Sequence, residues 1–133
     1  MSDSKGIVLD SSVLLAAVLK ERGGEALERL LAEDAQLVMS SVNFAETIAV
    51  LVRRHGISAR KAREDLLSLT VSVLPFGVED AEPTALLHAA HRGVLSLGDA
   101  ACLATAMREG LPVLTADRPW TTLGLDLDIR LIR

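Results

Sequence analysis

Several residue types are scarce in this chain of 133 residues, and each scarcity excludes a class of protein. The single cysteine, Cys102, cannot form an internal disulfide, and its alanine-rich surroundings predict a small buried side chain. The longest apolar run, from Val13 to Leu19, has 7 residues, whereas a membrane-spanning helix needs about 20. The aromatic residues are limited to Phe44, Phe76 and Trp120, too few for a surface that stacks several bases. We therefore expect neither a membrane protein nor a disulfide scaffold.

The residues that are abundant are those of a folded domain. Hydrophobic residues make up 50% of the chain and charged residues 24%, which excludes a disordered or low-complexity protein. The net charge of −4 is divided into +1 over residues 1–63 (9 basic, 8 acidic) and −5 over residues 64–133 (5 basic, 10 acidic). Such a charge argues against constitutive nucleic-acid binding. The length of 133 residues predicts a single domain over residues 1–133. The first residues lack the basic region of a secretory signal, so we expect the protein to be located in the cytoplasm.

Short apolar runs alternate with helical patterns along the chain. The runs cover residues 6–9, 36–39, 71–74 and 112–115, with 127–132 as a further edge strand. The helical patterns cover about residues 11–19, 25–33, 41–54, 58–69, 79–91 and 96–109. This alternation predicts a three-layer α/β/α sandwich with a mainly parallel sheet of four to five strands. In such folds ligands bind beyond the carboxyl ends of the strands.

Two aspartates stand at the ends of predicted strands. Asp10 directly follows the first strand, and Asp117 follows the fourth after one intervening residue. Both carboxylates are therefore expected at the edge of the sheet where ligands bind. Aspartate is also a good helix cap and turn residue. Taken alone, each position fits a structural cap as well as a functional site.

Two further carboxylates lie on helices expected to pack near that edge. The neighbours of Glu46 at one-turn spacing are apolar, so its side chain is predicted on the core-facing side, where an unpaired charge is costly. It therefore needs a cation, either Arg53 two turns further on or a metal ion. Asp99 is the third helical residue after Ser96, and a capping box alone would explain it.

The convergence of four carboxylates favours a bound cation over four independent caps. Ligands that are all oxygen, without a His or Cys cluster, suit Mg²⁺, or else Mn²⁺, rather than zinc. A cation held in this way activates water and neutralises charge that develops on a phosphoryl group. Phosphodiester hydrolysis is therefore the leading chemistry.

Four short motifs in register resemble the PIN-domain family, and specifically the VapC-type toxin ribonucleases of bacterial and archaeal toxin–antitoxin pairs. The motifs are Ile7-Val8-Leu9-Asp10-Ser11-Ser12, Asn43-Phe44-Ala45-Glu46, Leu97-Gly98-Asp99-Ala100 and Leu114-Thr115-Ala116-Asp117. The resemblance covers nearly the whole chain. It implies a catalytic set of Asp10, Glu46, Asp99 and Asp117, in which Asp10 and Asp99 are the principal Mg²⁺ ligands. It also implies supporting roles for Ser12 and Thr115.

The same resemblance implies an activity and partners. These are the cleavage of single-stranded RNA by metal-activated water, a homodimer, and inhibition by a cognate antitoxin. One dense basic segment is a candidate for contacts with RNA phosphates, because the arginine fork matches phosphate geometry. A solvated helix face with ion pairs between residues four apart is the alternative for this segment. Its members are Arg53, Arg54, Arg60, Lys61 and Arg63.

Two other functions fit parts of the pattern. A catalytically silent PIN-like interaction module would share the fold and the acidic residues. A receiver-type phosphoacceptor domain would share the size, the α/β sandwich and an acidic Mg²⁺ site. A receiver also needs a cationic partner late in the chain, typically lysine, and the last lysine here is Lys61.

Overall fold

A five-stranded parallel sheet organises the chain. The computed structural model describes residues 6–133. The strands lie in the order β3-β2-β1-β4-β5, and all neighbouring pairs are parallel. The predicted sheet is therefore confirmed, and its order differs from the 2-1-3-4-5 order of receiver domains. The strands are β1 (Gly6–Leu9), β2 (Gln36–Ser40), β3 (Val71–Leu74), β4 (Val113–Thr115) and β5 (Ile129–Leu131).

Helices connect the strands close to the predicted positions. The helix expected over residues 79–91 begins as a 3-10 turn, and Pro83 lies in the first turn of the α-helix that follows, where its missing N–H has no helical acceptor. Within residues 6–133, no helix combines the length and the apolar character needed to cross a bilayer. The helices are α1 (Ser11–Val18), α2 (Glu25–Ala32), α3 (Ser41–His55), α4 (Ala59–Leu67), α5 (Ala81–Ala90) and α6 (Leu97–Glu109), with 3-10 helices at Val78–Asp80 and Arg118–Thr122.

Successive residues of each strand face opposite sides of the sheet and so divide the core in two. On one side, Ile7 and Leu9 of β1 pack in a cluster with buried side chains of α1, α2, α3 and α4. On the other side, Val8 packs in a cluster with Cys102 and Trp120, both fully buried. The three layers and the buried cysteine agree with the sequence prediction.

The register of the two central strands brings distant residues together. Leu9 of β1 is paired with Leu114 of β4, so the residues that follow them, Asp10 and Thr115, emerge side by side. The carboxyl edge of the sheet therefore joins two parts of the chain that are more than a hundred residues apart.

A buried ion pair ties α6 to the 3-10 turn before α5. The Asp80 side chain is 5% exposed, and both of its carboxylate oxygens lie 2.7 Å from Nη1 of Arg108. Its Oδ2 also accepts a hydrogen bond of 2.8 Å from the N–H of Gly77. The Gly77 N–H and the Arg108 guanidinium together lower the pKa of Asp80 below its ordinary value. The ionised carboxylate therefore stabilises the fold.

We expect Asp80→Asn to lower the free energy of unfolding at pH 7 by about 1–2 kcal/mol, because charge-assisted hydrogen bonds of a buried group are lost. Since the folded pKa lies below the ordinary 3.8, the difference from wild type is complete above that pH and shrinks as the pH falls below it. Urea unfolding at pH 7 and near pH 3 measures both effects. The control is Asp128→Asn, which removes an exposed pair with Arg130 and should change little. Equal losses for both variants would contradict a special role of Asp80.

Candidate active site

A cleft of about 630 Å³ opens at the carboxyl edge of the sheet. All four acidic residues selected from the sequence, Asp10, Glu46, Asp99 and Asp117, line it. They come from the end of β1, from α3, from α6 and from the segment after β4. The fold therefore gathers carboxylates that are widely separated in the sequence. The remaining lining residues are Ser11, Ser12, Leu15, Val50, Ala116, Arg118 and Pro119.

Asp10 occupies the N-cap position of α1, but its side chain is held by two hydroxyl groups. It is 6% exposed, and its side chain makes no capping hydrogen bond to α1. Its Oδ2 accepts hydrogen bonds from Ser12 Oγ at 2.7 Å and from Thr115 Oγ1 at 2.9 Å. Each hydroxyl oxygen in turn accepts a backbone N–H, from Ala116 and Asp117 respectively, at 3.0 Å. Because a hydroxyl has one proton, this arrangement directs both protons at Asp10.

Burial makes the ionised form of Asp10 costly. Its pKa is raised from 3.8 to about 6, mainly by burial, against the lowering effect of Ser12 and Thr115 and with a further increase from the charge of Asp99. The pKa of Asp117 is also raised, by burial and by the charge of Asp99. The cleft therefore concentrates negative charge that a cation would stabilise.

Glu46 is held by neutral donors, and Arg53, one of the two partners that the sequence offered for it, forms no ion pair with it. Its Oε1 accepts a hydrogen bond of 2.9 Å from Asn43 Nδ2 and lies 3.1 Å from Ser11 Oγ. Arg53 is exposed. The Glu46 side chain is half-buried at the cleft rather than enclosed in the core. Its carboxylate lies against Gly98 in the first turn of α6, where a Cβ would collide with it.

Asp99 serves the predicted capping box and also faces the cleft. Its Oδ2 accepts a hydrogen bond of 2.9 Å from the N–H of Ser96, while Ser96 Oγ accepts one of 3.1 Å from the N–H of Asp99. The capping box fixes the carboxylate at the first turn of α6 while leaving it in the cleft lining. Asp117, by contrast, makes no side-chain cap to the 3-10 helix that follows it. A capping role therefore explains the position of Asp99 but not that of Asp117.

Comparison with known proteins assigns the chain to a family. A family model described as PIN domain matches residues 7–123. The chain belongs to the PIN-domain family. The ribonuclease VapC36 of Mycobacterium tuberculosis is 36% identical over 126 residues, which cover 88% of this chain and 91% of that protein. This PIN domain is thus of the VapC type.

Solved structures confirm the fold of this PIN domain. The crystal structure of VapC20 from Mycobacterium tuberculosis, described as a toxin that cleaves the sarcin-ricin loop, is similar with a TM-score of 0.72 and 25% identity over 93% of this chain and 98% of that one. A toxin–antitoxin complex from Klebsiella pneumoniae contains a chain with a TM-score of 0.71 and 20% identity, covering 96% of this chain and 98% of that one.

The acidic donor atoms that line the cleft of this PIN domain are carboxylate oxygens, the type of ligand that hard cations prefer. Carboxylate oxygens from four residues line the cleft. The nearby Cys102 is fully buried, and its thiol pKa is raised well above the ordinary value by burial and by the charges of Asp10, Asp99 and Glu46. As the side chains stand, no three His, Cys, Asp or Glu residues among those described form a ready metal-binding group. The donor chemistry fits Mg²⁺ or Mn²⁺.

The basic segment predicted to bind phosphates lies outside the cleft lining. Arg60 and Lys61 of α4 form exposed pairs with Glu64 at 3.6 Å and Asp65 at 2.9 Å, as the solvated-face alternative predicted. Arg53 and Arg54 are exposed on the last turn of α3, one turn beyond Val50, which does line the cleft.

Sequence reasoning missed three polar residues of the site. Arg118 is the one basic residue in the cleft lining of residues 6–133, and it directly follows Asp117 in the sequence. Ser11 and Asn43 hold Glu46. The sequence does contain a signal for Ser11 and Asn43, because they lie within the same short motifs as Asp10 and Glu46.

Neutralising Asp10 should stabilise the metal-free protein. Because the folded pKa of about 6 exceeds the ordinary 3.8, the folded state binds the proton more tightly, and stability falls as the pH rises between these values. We expect Asp10→Asn at pH 7.5 to raise the free energy of unfolding by about 1–3 kcal/mol. The gain should vanish near pH 4.

Urea unfolding in EDTA at both pH values measures the gain, with the exposed Asp126→Asn as the control. A variant less stable than wild type at pH 7.5 would contradict the cost assigned to ionised Asp10.

Proposed function

We propose that this PIN domain is the toxin of a toxin–antitoxin pair, a metal-dependent endoribonuclease that hydrolyses phosphodiester bonds of single-stranded RNA. The convergence of Asp10, Glu46, Asp99 and Asp117 on one cleft carries the proposal. The relative named ribonuclease VapC36 supports cleavage of RNA. The proposal includes a homodimer and a cognate antitoxin that covers the cleft, in keeping with the fold shared with a chain of a solved toxin–antitoxin complex.

The acidic residues have different tasks in this proposal. Asp10 and Asp99 would hold the metal, since Asp10 is oriented by two hydroxyls and Asp99 by its capping box. Glu46 and Asp117 would complete the negative cluster and orient the attacking water. When bound there, Mg²⁺ or Mn²⁺ lowers the pKa of water and neutralises charge on the phosphoryl group. Ser12 would keep Asp10 aligned while the charge of the cleft changes.

Arg118 is the proposed contact for the RNA backbone at the cleft. It is exposed beside Asp117 and forms no ion pair with any residue in the described range. A guanidinium binds phosphate through two parallel hydrogen bonds. Leu15, Val50 and Pro119 give the same cleft an apolar wall against which a sugar or base can pack. Arg53 and Arg54 extend the positive charge beyond this wall, whereas Arg60 and Lys61 are already paired.

The first test is cleavage of single-stranded RNA by purified protein. We expect activity with Mg²⁺ or Mn²⁺, its loss in EDTA, and a fall of about 100-fold or more in kcat/KM for Asp10→Asn and Asp99→Asn. The loss follows because metal catalysis supplies several kcal/mol and each 1.4 kcal/mol corresponds to a factor of about ten. Asp128→Asn, which removes one charge outside the cleft, should retain full activity. Equal cleavage by wild type and both cleft variants would show that the activity belongs to a contaminant, and no cleavage by any of them would favour the silent interaction module.

Replacing Arg118 should weaken substrate binding without slowing the chemical step. We expect Arg118→Ala to raise KM about tenfold and to leave kcat within about threefold, because a phosphate contact away from the scissile bond contributes equally to ground state and transition state. Arg118→Lys should recover part of the affinity. Steady-state kinetics on a short RNA measures both constants, with the exposed Arg92→Ala as the matched charge control. An unchanged KM would remove Arg118 from the binding surface.

A further inference from the structure

A buried asparagine connects Glu46 to the first turn of α6. Asn43 is fully buried, and its Nδ2 donates one hydrogen bond of 2.9 Å to Glu46 Oε1 and another of 3.0 Å to the carbonyl oxygen of Gly98. An amide nitrogen has two protons, so both are used. One side chain therefore sets the position of the Glu46 carboxylate and its distance from α6 at the same time.

Gly98 completes this arrangement from the other side. A Cβ at this position would overlap Glu46 Oε2 and lie 2.5 Å from its Cδ, so any larger residue would displace the carboxylate. The nearest atoms to the missing Cβ all belong to Glu46, so the absence of a side chain at position 98 makes room for this carboxylate.

One polar atom of the Asn43 side chain has no hydrogen-bond partner among the described residues. Its Oδ1 is buried without a hydrogen-bond donor among the described residues, which is unfavourable for folding. Its backbone oxygen is satisfied separately, by Thr47 Oγ1 at 2.8 Å. An apolar residue of similar size would avoid the unpaired oxygen but could not donate to Glu46.

Ser11 is a second donor to Glu46, but among the described residues its hydroxyl makes no hydrogen bond to α6. Its Oγ lies 3.1 Å from Glu46 Oε1 and also 3.1 Å from the backbone oxygen of Asn43. A hydroxyl has one proton, which these two acceptors share. Asn43 Nδ2, by contrast, has a separate proton for each of its acceptors.

From this geometry we infer that Asn43 and Gly98 are positioning residues, which hold the Glu46 carboxylate at the cleft in the orientation used for catalysis. The inference rests on the proposed nuclease function for its kinetic consequence. Its structural content includes the coupling of Gly98 to Glu46, which can be measured without any activity. Two experiments test these parts separately.

The first experiment measures melting temperatures in EDTA for Gly98→Ala, Glu46→Ala and the double variant. With Glu46 present, the new Cβ collides with its carboxylate. In the Glu46→Ala background the collision is gone, and alanine favours the helix over glycine. We therefore expect Gly98→Ala to raise Tm by about 2–4 °C in the Glu46→Ala background and to raise it less, or to lower it, in wild type. Equal shifts in both backgrounds would overturn the inference, whether or not the protein cleaves RNA.

The second experiment compares kcat and KM of Asn43→Leu and Gly98→Ala with wild type. We expect kcat to fall about tenfold or more and KM to change less than about twofold, since the variants misplace Glu46 without touching the substrate-binding residues. In the Glu46→Ala background neither substitution should lower kcat further.

The control for the kinetic experiment is Thr84→Val on α5. Thr84 is also buried with an unpartnered oxygen, but it lies outside the cleft lining, so kcat should be unchanged. If Asp10→Asn abolishes cleavage while Asn43→Leu and Gly98→Ala retain wild-type kcat, the positioning role is refuted and the nuclease function stands. If wild type shows no metal-dependent cleavage, the nuclease function fails, and the melting temperatures alone decide whether Gly98 is coupled to Glu46.

Discussion

The site depends on holding several negative charges together at one edge of a parallel sheet. None of Asp10, Glu46, Asp99 and Asp117 forms an ion pair within residues 6–133. The hydrogen-bond donors to the first three are neutral hydroxyl, amide and backbone N–H groups. Neutral donors fix the direction of a carboxylate without cancelling its charge, so the attraction for a cation is preserved. Burial strengthens this effect at Asp10 and Asp117, because it raises the pKa of both side chains and so disfavours their ionised forms while no cation is bound.

The topology of the sheet makes this arrangement possible. β1 and β4 are adjacent and parallel, so Asp10 and Thr115 emerge from the same edge and their side chains meet. The hydroxyls of Ser12 and Thr115 take their orientation from backbone N–H groups of the segment that follows β4. A shift of that segment would therefore disturb Asp10 and Asp117 together. The fold and the charge cluster are stabilised by the same contacts.

The acidic residues could be predicted from the sequence because each carries a local signal. Asp10 ends an apolar run, and Asp99 stands three residues after Ser96 at the start of a helix. The link between Glu46 and α6 could not be predicted in the same way, although Asn43 lies only three residues before Glu46. Helical spacing indicated which face Glu46 occupies, but the hydrogen bond from Asn43 to the Gly98 carbonyl joins residues 55 positions apart. Such a contact depends on how α3 and α6 cross, which no local pattern encodes.

The chain also contains a buried aspartate with the opposite environment. Asp80 receives a guanidinium and a backbone N–H, and its pKa is lowered, whereas Asp10 receives two hydroxyls, and its pKa rises to about 6. Both side chains expose little surface, but Asp10 lies deeper in the protein, and no cationic donor offsets the cost of burying its charge. An arginine beside Asp10 would stabilise the metal-free fold, as Arg108 does beside Asp80, but it would occupy the position and cancel the charge that a divalent cation needs. The unfavourable free energy of burying ionised Asp10 is thus a direct physical consequence of leaving the cleft open to a cation.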